Sequence, residues 1–426
     1  MSASTPNQSE IHSDPDPSPD LASAKLLSAK SATAKAPWVG LDIGGANLKA
    51  AHTSGWSSSV GFAMWREWKT LGLSIAKLLD DCPAFLGVAV TMTGELADCF
   101  ATRAEGVAII LEQLTSILPS SMVHVYCVDG TWKTVSQSAR DPWSVAASNW
   151  HGLARFSSRL VGDKFCVIVD TGSTTTDLIP IRDGQIAMDA RTDSQRLQTG
   201  ALIYTGIERS NVAGIVSEVE LFGASCPVMN EQFATTRDVY LWLREIEDQP
   251  QNFETADNRP ATRDAARYRL ARIVGEDGST LADADLDRIA EQIATAQTKL
   301  VSKAFFKLSA KACVKTSSGK SNRNKEVANP GPKASKPFSQ AAVSQAAVSQ
   351  AQGNQAQGNQ VVQCVVMSGH GDFLVEAALA ACGWDGERIR LNEVLGPELS
   401  RCAPAFAIAV LAAEELSRRV EGREFD

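Results

Sequence analysis

The residues equipped for chemistry cluster in three short stretches. Val169-Asp170-Thr171-Gly172-Ser173-Thr174-Thr175-Thr176-Asp177 follows an apolar run, Phe165 to Val169, that reads as a buried strand. Asp170 stands at the strand's end, Gly172 permits a tight turn, and hydroxyl residues and a second carboxylate, Asp177, follow. Leu178 to Ile181 is apolar again, so the local reading is strand, turn, strand. Backbone N–H groups and hydroxyls held between carboxylates suit a phosphate bound with a divalent cation. The same design occurs earlier, in Leu41-Asp42-Ile43-Gly44-Gly45-Ala46-Asn47-Leu48-Lys49. A third glycine turn, Ser368-Gly369-His370-Gly371, follows the apolar run Val361 to Met367. One Asp-x-Gly turn is common in any hairpin; two strand-turn-strand copies and a late strand-turn-helix carry more weight together.

This pattern makes Asp42, Asp170 and Asp177 candidate catalytic groups, with Asp42 and Asp170 placed to hold Mg²⁺. Gly44, Gly45, Gly172, Ser173, Thr174, Thr175, Gly369 and Gly371 are candidates for cradling phosphate. Lys49 joins them, although strand alternation leaves open that it points to solvent. Arg196 and Arg209 are further candidates, because a planar guanidinium grips phosphate oxygens in pairs; a surface ion pair explains either one as well. Thr91-Met92-Thr93-Gly94-Glu95-Leu96 and Val128-Asp129-Gly130 also end apolar runs, where α/β folds place ligands. Asn149 and Trp150 either face the same cleft or pack a helix on a sheet.

The elements that must position these residues can be read along the chain. Strands are expected at 38–43, 47–53, 85–91 and 122–128, with helices at 66–80 and 106–118. A helix is expected to open at Asp141-Pro142 and run to about Phe156. Strands follow at 165–170, 174–181 and 185–189, helices at 237–247, 261–274 and 281–307, strands at 361–367 and 387–391, and helices at 371–382 and from Pro404 to about Arg419. Arg263, Arg267, Arg269 and Arg272 read as a solvated helix face. Hairpins followed by strand-helix alternation predict a mixed sheet covered by helices.

Composition narrows the class. The chain has 426 residues, 44% hydrophobic and 21% charged, as expected of a soluble globular protein. The net charge is −8, and the segment 309–360 holds seven basic residues and one acidic one, so the rest is more acidic still. No basic stripe is left for nucleic acid, and no apolar stretch reaches the length of a membrane span. Nine dispersed cysteines without Cys-x-x-Cys spacing read as reduced thiols of a cytoplasmic protein. Residues 1–36 are Ser-, Pro- and Asp-rich and read as a disordered tail. Segment 309–360, with its Ala-Ala-Val-Ser-Gln and Ala-Gln-Gly-Asn-Gln repeats, reads as a low-complexity disordered insertion.

The paired hairpins and the late glycine turn resemble the superfamily of acetate and sugar kinases, heat-shock chaperones and actin. That resemblance implies two ribonuclease-H-like halves, here 37–160 and 161–426, around a ligand cleft. The wording DIGGANLKAA, VDTGSTTTDLIPI and RLQTGALIYTGIERSNV is similar to the hydantoinase/oxoprolinase family, in its branch linked to tetrahydromethanopterin one-carbon transfer. Family members also carry the Thr-x-Thr-Gly-Glu-Leu wording.

The branch implies a transferase of methanofuran-type cofactor biosynthesis. An aminomethylfuran diphosphate would be joined to the phenol oxygen of a (γ-glutamyl)tyramine, with pyrophosphate leaving. Mg²⁺ would assist, ATP would not be needed, and Asp170 or Asp177 would take the phenolic proton. The partners are then small molecules, with assembly into a homo-oligomer left open. Two alternatives stand beside this: an ATP-dependent kinase or hydantoinase/oxoprolinase-type hydrolase, and a non-catalytic nucleotide sensor or assembly protein.

Overall fold

The computed structural model describes residues 36–314 and 361–417, with side chains to 309 in the first segment. The expected tail, save Ala36, and most of the expected insertion lie outside the described residues. The helix before the insertion runs through Asp283–Val314, about two turns beyond the expected stop near 307.

Two mixed sheets form the frame. In the first, β1 (Trp38–Ile43), β2 (Asn47–His52) and β3 (Ser57–Gly61) form an antiparallel meander. On its other side β1 pairs in parallel with β4 (Gly87–Met92), which pairs with β5 (Val123–Tyr126) and then antiparallel β6 (Trp132–Thr134). In the second, β7 (Cys166–Thr171) pairs antiparallel with β8 (Thr176–Arg182), which carries the short β9 (Gln185–Ile186) and β10 (Leu202–Ile203). A small hairpin, β11 (Glu218–Leu221) and β12 (Ala224–Pro227), stands apart. β7 then pairs in parallel with β13 (Cys364–Gly369), and β13 with β14 (Glu387–Arg390). Each sheet thus sets a hairpin beside parallel strands, and the protein consists of two ribonuclease-H-like halves. β1, β4 and β13 are buried on both faces, which is why their sequences lack a polar–apolar alternation and carry few polar residues, Asp42, Thr91 and Ser368.

Two helices fill the space between the sheets. Helix Asn149–Ser157 lies on the second sheet, where Trp150 and Leu153 pack with Ile168, Ile179 and Ile181. Helix Ala403–Glu415 lies on the first, where Ile408 and Leu411 pack with Trp38 and Ala89. Phe156 meets Phe406 edge-on where the two helices touch. Each fully buried aliphatic side chain of this kind contributes roughly 1.5–3 kcal/mol. Every residue from Ala403 to Ala413 is buried, because this helix has protein on all sides. Gly40 is what lets it close on β1: a Cβ there would sit 1.9 Å from the Ala405 carbonyl oxygen. The last helix therefore serves the first half, although it follows the second in sequence.

Two expectations need correction. The helix expected from Asp141 to Phe156 is two helices, Pro142–Val145 and Asn149–Ser157, separated where Ala147 takes a left-handed φ of 49°. The arginine-rich helix, Arg263–Arg272, is not simply a solvated face. Arg269 is fully buried and donates to Asp238 at 2.6 Å and Asp257 at 3.0 Å, because the helix is covered by Thr236–Trp242 and its following loop.

Candidate active site

The two hairpin turns have the same internal wiring. Gly44 N–H donates to the Asn47 carbonyl at 3.0 Å, and Gly172 N–H donates to the Thr175 carbonyl at 2.9 Å. The amides of Gly45, Ala46, Ser173 and Thr174 have no protein acceptor among the described residues. The carbonyls of the second turn are occupied instead: Ile207 N–H donates to Gly172, and those of Glu208 and Arg209 to Ser173. Such a turn faces a ligand with donors, which favours an anion.

Two cavities meet at these turns. One, about 910 Å³, is lined by Ala46, Lys49, Ser173, Glu208, Arg237 and His370 among others. The second, about 590 Å³, is lined by Gly45, Thr174, Thr175 and Asp177, and by the larger apolar groups Trp65, Leu96, Leu197 and Tyr204. Ala46 and Arg209 border both. Arg209 comes from the second half and lies over the Trp65 ring of the first, 4.3 Å from its centroid. Arg66 to Glu254 and Arg103 to Asp193, each at 2.7 Å, also bridge the halves.

The carboxylates are arranged around Asp170. Asp42 is buried and its Oδ1 has no hydrogen-bond partner. Burial pushes its carboxyl up to about 6; Lys49, its cross-strand neighbour, pulls it down, and the Asp170 charge pushes it up. Asp170 also stands opposite Asp177 across β7 and β8; burial raises the Asp177 carboxyl, and that of Asp372 at the start of helix Asp372–Ala381, with the Asp170 charge adding to both. Glu95 is buried with both oxygens free of hydrogen bonds, and burial lifts it to about 7 against the pull of Arg103 at 3.7 Å.

The residues singled out from the sequence divide into groups. Asp42, Asp170, Gly44, Gly45, Gly172, Ser173, Thr174 and Thr175 do gather at the hairpin turns. Lys49 is turned towards the first cavity rather than away from it. Arg209 is open to both cavities. Arg196 borders the second cavity but is 3% exposed, ion-paired with Asp177 and Asp193, and stacked over Trp150, so both its terminal nitrogens are held by protein carboxylates. Asp177 lines the same cavity with its carboxylate ion-paired to Arg196. Gly369 and Gly371 line neither cavity. A Cβ on either would come within 2.1–2.4 Å of Thr171, so both are glycine for packing. His370, between them, is the residue that faces the cavity.

Sequence reasoning passed over Glu208, Arg237, Trp65 and the role of His370. The one available signal was the placing of His370 between two glycines in a turn already picked out.

A model of the hydantoinase/oxoprolinase family matches residues 87–415, which leaves the first hairpin outside the match. Two similar proteins carry the name (4-{4-[2-(gamma-L-glutamylamino)ethyl]phenoxymethyl}furan-2-yl)methanamine synthase. The one from Methanocaldococcus jannaschii is 32% identical over 258 residues, 60% of this chain and 76% of its own length. The one from Methanococcus vannielii is 35% identical over 124 residues, 29% of this chain and 55% of its own length. Among solved structures, the activator of the 2-hydroxyisocaproyl-CoA dehydratase from Clostridium difficile with bound ADPNP aligns over 91% of this chain and 97% of its own, at 12% identity and a TM-score of 0.37.

Proposed function

This chain belongs to the hydantoinase/oxoprolinase family, and from that premise we propose that it is a transferase of methanofuran-type cofactor biosynthesis, joining an aminomethylfuran diphosphate to the phenol oxygen of a (γ-glutamyl)tyramine and releasing pyrophosphate. The name of the Methanocaldococcus jannaschii relative describes a furan methanamine bearing a phenoxymethyl ether. Making that ether from a phenol requires a leaving group on the furfuryl carbon. The observation that carries the reading is the pair of identically wired turns, with unpaired amides, set against each other beside Asp42 and Asp170.

In this reading the diphosphate lies at the turns, against Lys49 and Arg209. The furan and phenol rings lie in the second cavity among Trp65, Leu96, Leu197 and Tyr204, whose apolar surface excludes water and aligns the two reactants. The furan ring delocalises positive charge as the carbon–oxygen bond breaks. The phenol oxygen bonds to the carbon, and Asp170, whose carboxylate is not held by an arginine, receives the phenolic proton.

The donor set fits Mg²⁺, which binds through one or two carboxylates and completes its shell with water and phosphate oxygens. Asp42 offers a buried oxygen without a partner, and Asp170 is close enough to perturb it. Among the described residues no group of three or more His, Cys, Asp or Glu could hold a metal alone, so a diphosphate would complete this set. A bound Mg²⁺ supplies charge neutralisation of the departing pyrophosphate. The reaction needs no ATP, since the leaving diphosphate provides the driving force. The partners in this reading are small molecules. No described helix is long and apolar enough to cross a membrane.

The test is pyrophosphate release by the purified chain. Release that requires the furan diphosphate, the phenolic amine and Mg²⁺ together supports the reading. Release without the phenol, or turnover only of added ATP, defeats it.

A further inference from the structure

His370 stands on a turn with little freedom. Gly369, at a φ of 89°, packs against the Thr171 carbonyl, and the amides of His370 and Gly371 both donate to that same oxygen at 3.1 and 3.2 Å. The imidazole Nε2 lies 3.0 Å from Glu208 Oε1. Glu208 is fixed in turn. Its amide is bonded to Ser173 at the tip of the second hairpin, and its Oε2 accepts from Arg237, whose other terminal nitrogen donates to the Glu254 carbonyl at 2.7 Å.

Burial alone would raise the Glu208 carboxyl. The His370 hydrogen bond and the Arg237 and His370 charges outweigh it and bring the group down to about 2, so it is a carboxylate at neutral pH. A carboxylate only accepts, which assigns the hydrogen to Nε2. Nδ1 is then the free end of the ring, and it has no hydrogen-bond partner among the described residues. His370 lines the cavity that also holds Lys49, Ser173 and Arg209.

We propose that His370, oriented by Glu208, is a catalytic residue that delivers its Nδ1 proton to the departing diphosphate. The proposal rests on the transferase reading above. In the step, the bond between furfuryl carbon and diphosphate oxygen breaks and its electron pair leaves with the oxygen. The imidazolium Nδ1–H transfers its proton to the diphosphate. The phenol oxygen forms the new carbon–oxygen bond, and its own proton goes to the Asp170 carboxylate. Glu208 stabilises the imidazolium before transfer and holds the neutral ring afterwards; Arg237 keeps Glu208 in place. This arrangement of proton donor, carboxylate and clamp follows the general logic of oriented acid–base groups.

The charged groups that face His370 come from every side of the cavity. Lys49 on β2, Arg209, Arg237 and Arg401 supply positive charge, and Glu67, Glu208, Glu245, Glu247, Asp248 and Glu254 negative charge.

The experiment uses the full chain with Mg²⁺. Ether formation is followed from pH 6 to 9 for wild type, His370→Gln and Glu208→Gln, with melting temperature as the check on folding. In wild type, kcat falls towards high pH, as a step that needs a proton donor does. His370→Gln lowers kcat by roughly 100-fold with KM changed only a few-fold, and its kcat no longer falls with pH. Glu208→Gln moves the fall to lower pH. A His370→Gln enzyme with wild-type kcat, or with reduced kcat and the same high-pH fall, overturns the assignment. A second measurement separates this from failure of the transferase reading. Inorganic pyrophosphate is titrated calorimetrically in buffers of different ionisation enthalpy. Wild type takes up a proton on binding and His370→Gln does not, whether or not any ether forms; equal uptake by both proteins overturns the proposal. Absence of ether with wild type, alongside that difference in uptake, defeats the coupling reaction and leaves His370 as a pyrophosphate-responsive acid.

Discussion

Gly369→Ala should cost more than a left-handed glycine normally does, and the structure separates the two reasons. Gly369 has a φ of 89°, where an L side chain is strained by about 1–2 kcal/mol. The added Cβ would also meet the Thr171 carbonyl oxygen at 2.1 Å and its carbon at 2.7 Å. That contact is with backbone, so no side chain can swing away, and relief requires β13 and β7 to separate. Overpacking of this kind costs about 1–3 kcal/mol, for a sum of roughly 2–5 kcal/mol. Gly383→Ala is the matched control. Gly383 has a φ of 67° but nothing within 4 Å of its Cβ position, so it carries only the strain, about 1–2 kcal/mol. Urea unfolding of both variants beside wild type measures the difference. The same turn bears His370, so Gly369→Ala should also lose pyrophosphate affinity while Gly383→Ala keeps it. Equal stability of the two variants would refute the claim that Gly369 is glycine for contact with Thr171.

Three further outcomes follow from the charged groups. Arg196→Met should destabilise the chain by about 3–5 kcal/mol, because Asp177 is left buried without its partner, and thermal melting reads this directly. Asp42→Asn should instead raise stability at pH 7 without Mg²⁺ while abolishing most Mg²⁺-dependent turnover. Burial holds the folded carboxyl up at about 6 against its ordinary 3.8, so the ionised form works against folding above the lower value, by roughly 2–3 kcal/mol once both are passed; an unchanged or lower melting temperature at pH 7 counts against this. Glu208 has the opposite sign. Its folded carboxyl is depressed to about 2 from 4.5, so its contribution is complete above pH 4.5 and disappears as pH falls towards 2. The stability gap between wild type and Glu208→Gln should close across that window, and a gap that persists at pH 2 contradicts the assignment.

The hairpins were legible because their chemistry is local. An aspartate, a glycine two residues later and apolar runs on both sides leave few structures open, and Asp42 and Asp170 stand where that pattern puts them. Charge pairing is not local. Arg196 and Arg209 look alike in sequence, yet one is buried against Asp177 and the other spans two cavities, and the difference comes from Trp150 and Trp65 in the other half. Arg269 was misread for the same reason: its helix spacing says nothing of Asp238 and Asp257, which arrive from earlier segments. The His370–Glu208 pair joins residues 162 positions apart. Gly369 and Gly371 were correctly noticed as special, but a glycine for ligand approach and a glycine for backbone packing leave the same letter. The broken helix at Ala147 also had no local cue, since alanine ordinarily favours helix.

The coupling reaction itself is tested most directly by following the acceptor oxygen. Purified full-length protein, Mg²⁺, an aminomethylfuran diphosphate and a tyramine derivative labelled with ¹⁸O in its phenol are incubated without ATP, and the products are weighed by mass spectrometry. The account predicts an ether that retains the ¹⁸O, formed in step with unlabelled pyrophosphate. An ether that forms only when ATP is added, with ADP produced in proportion, or pyrophosphate released with no ether at all, would contradict it.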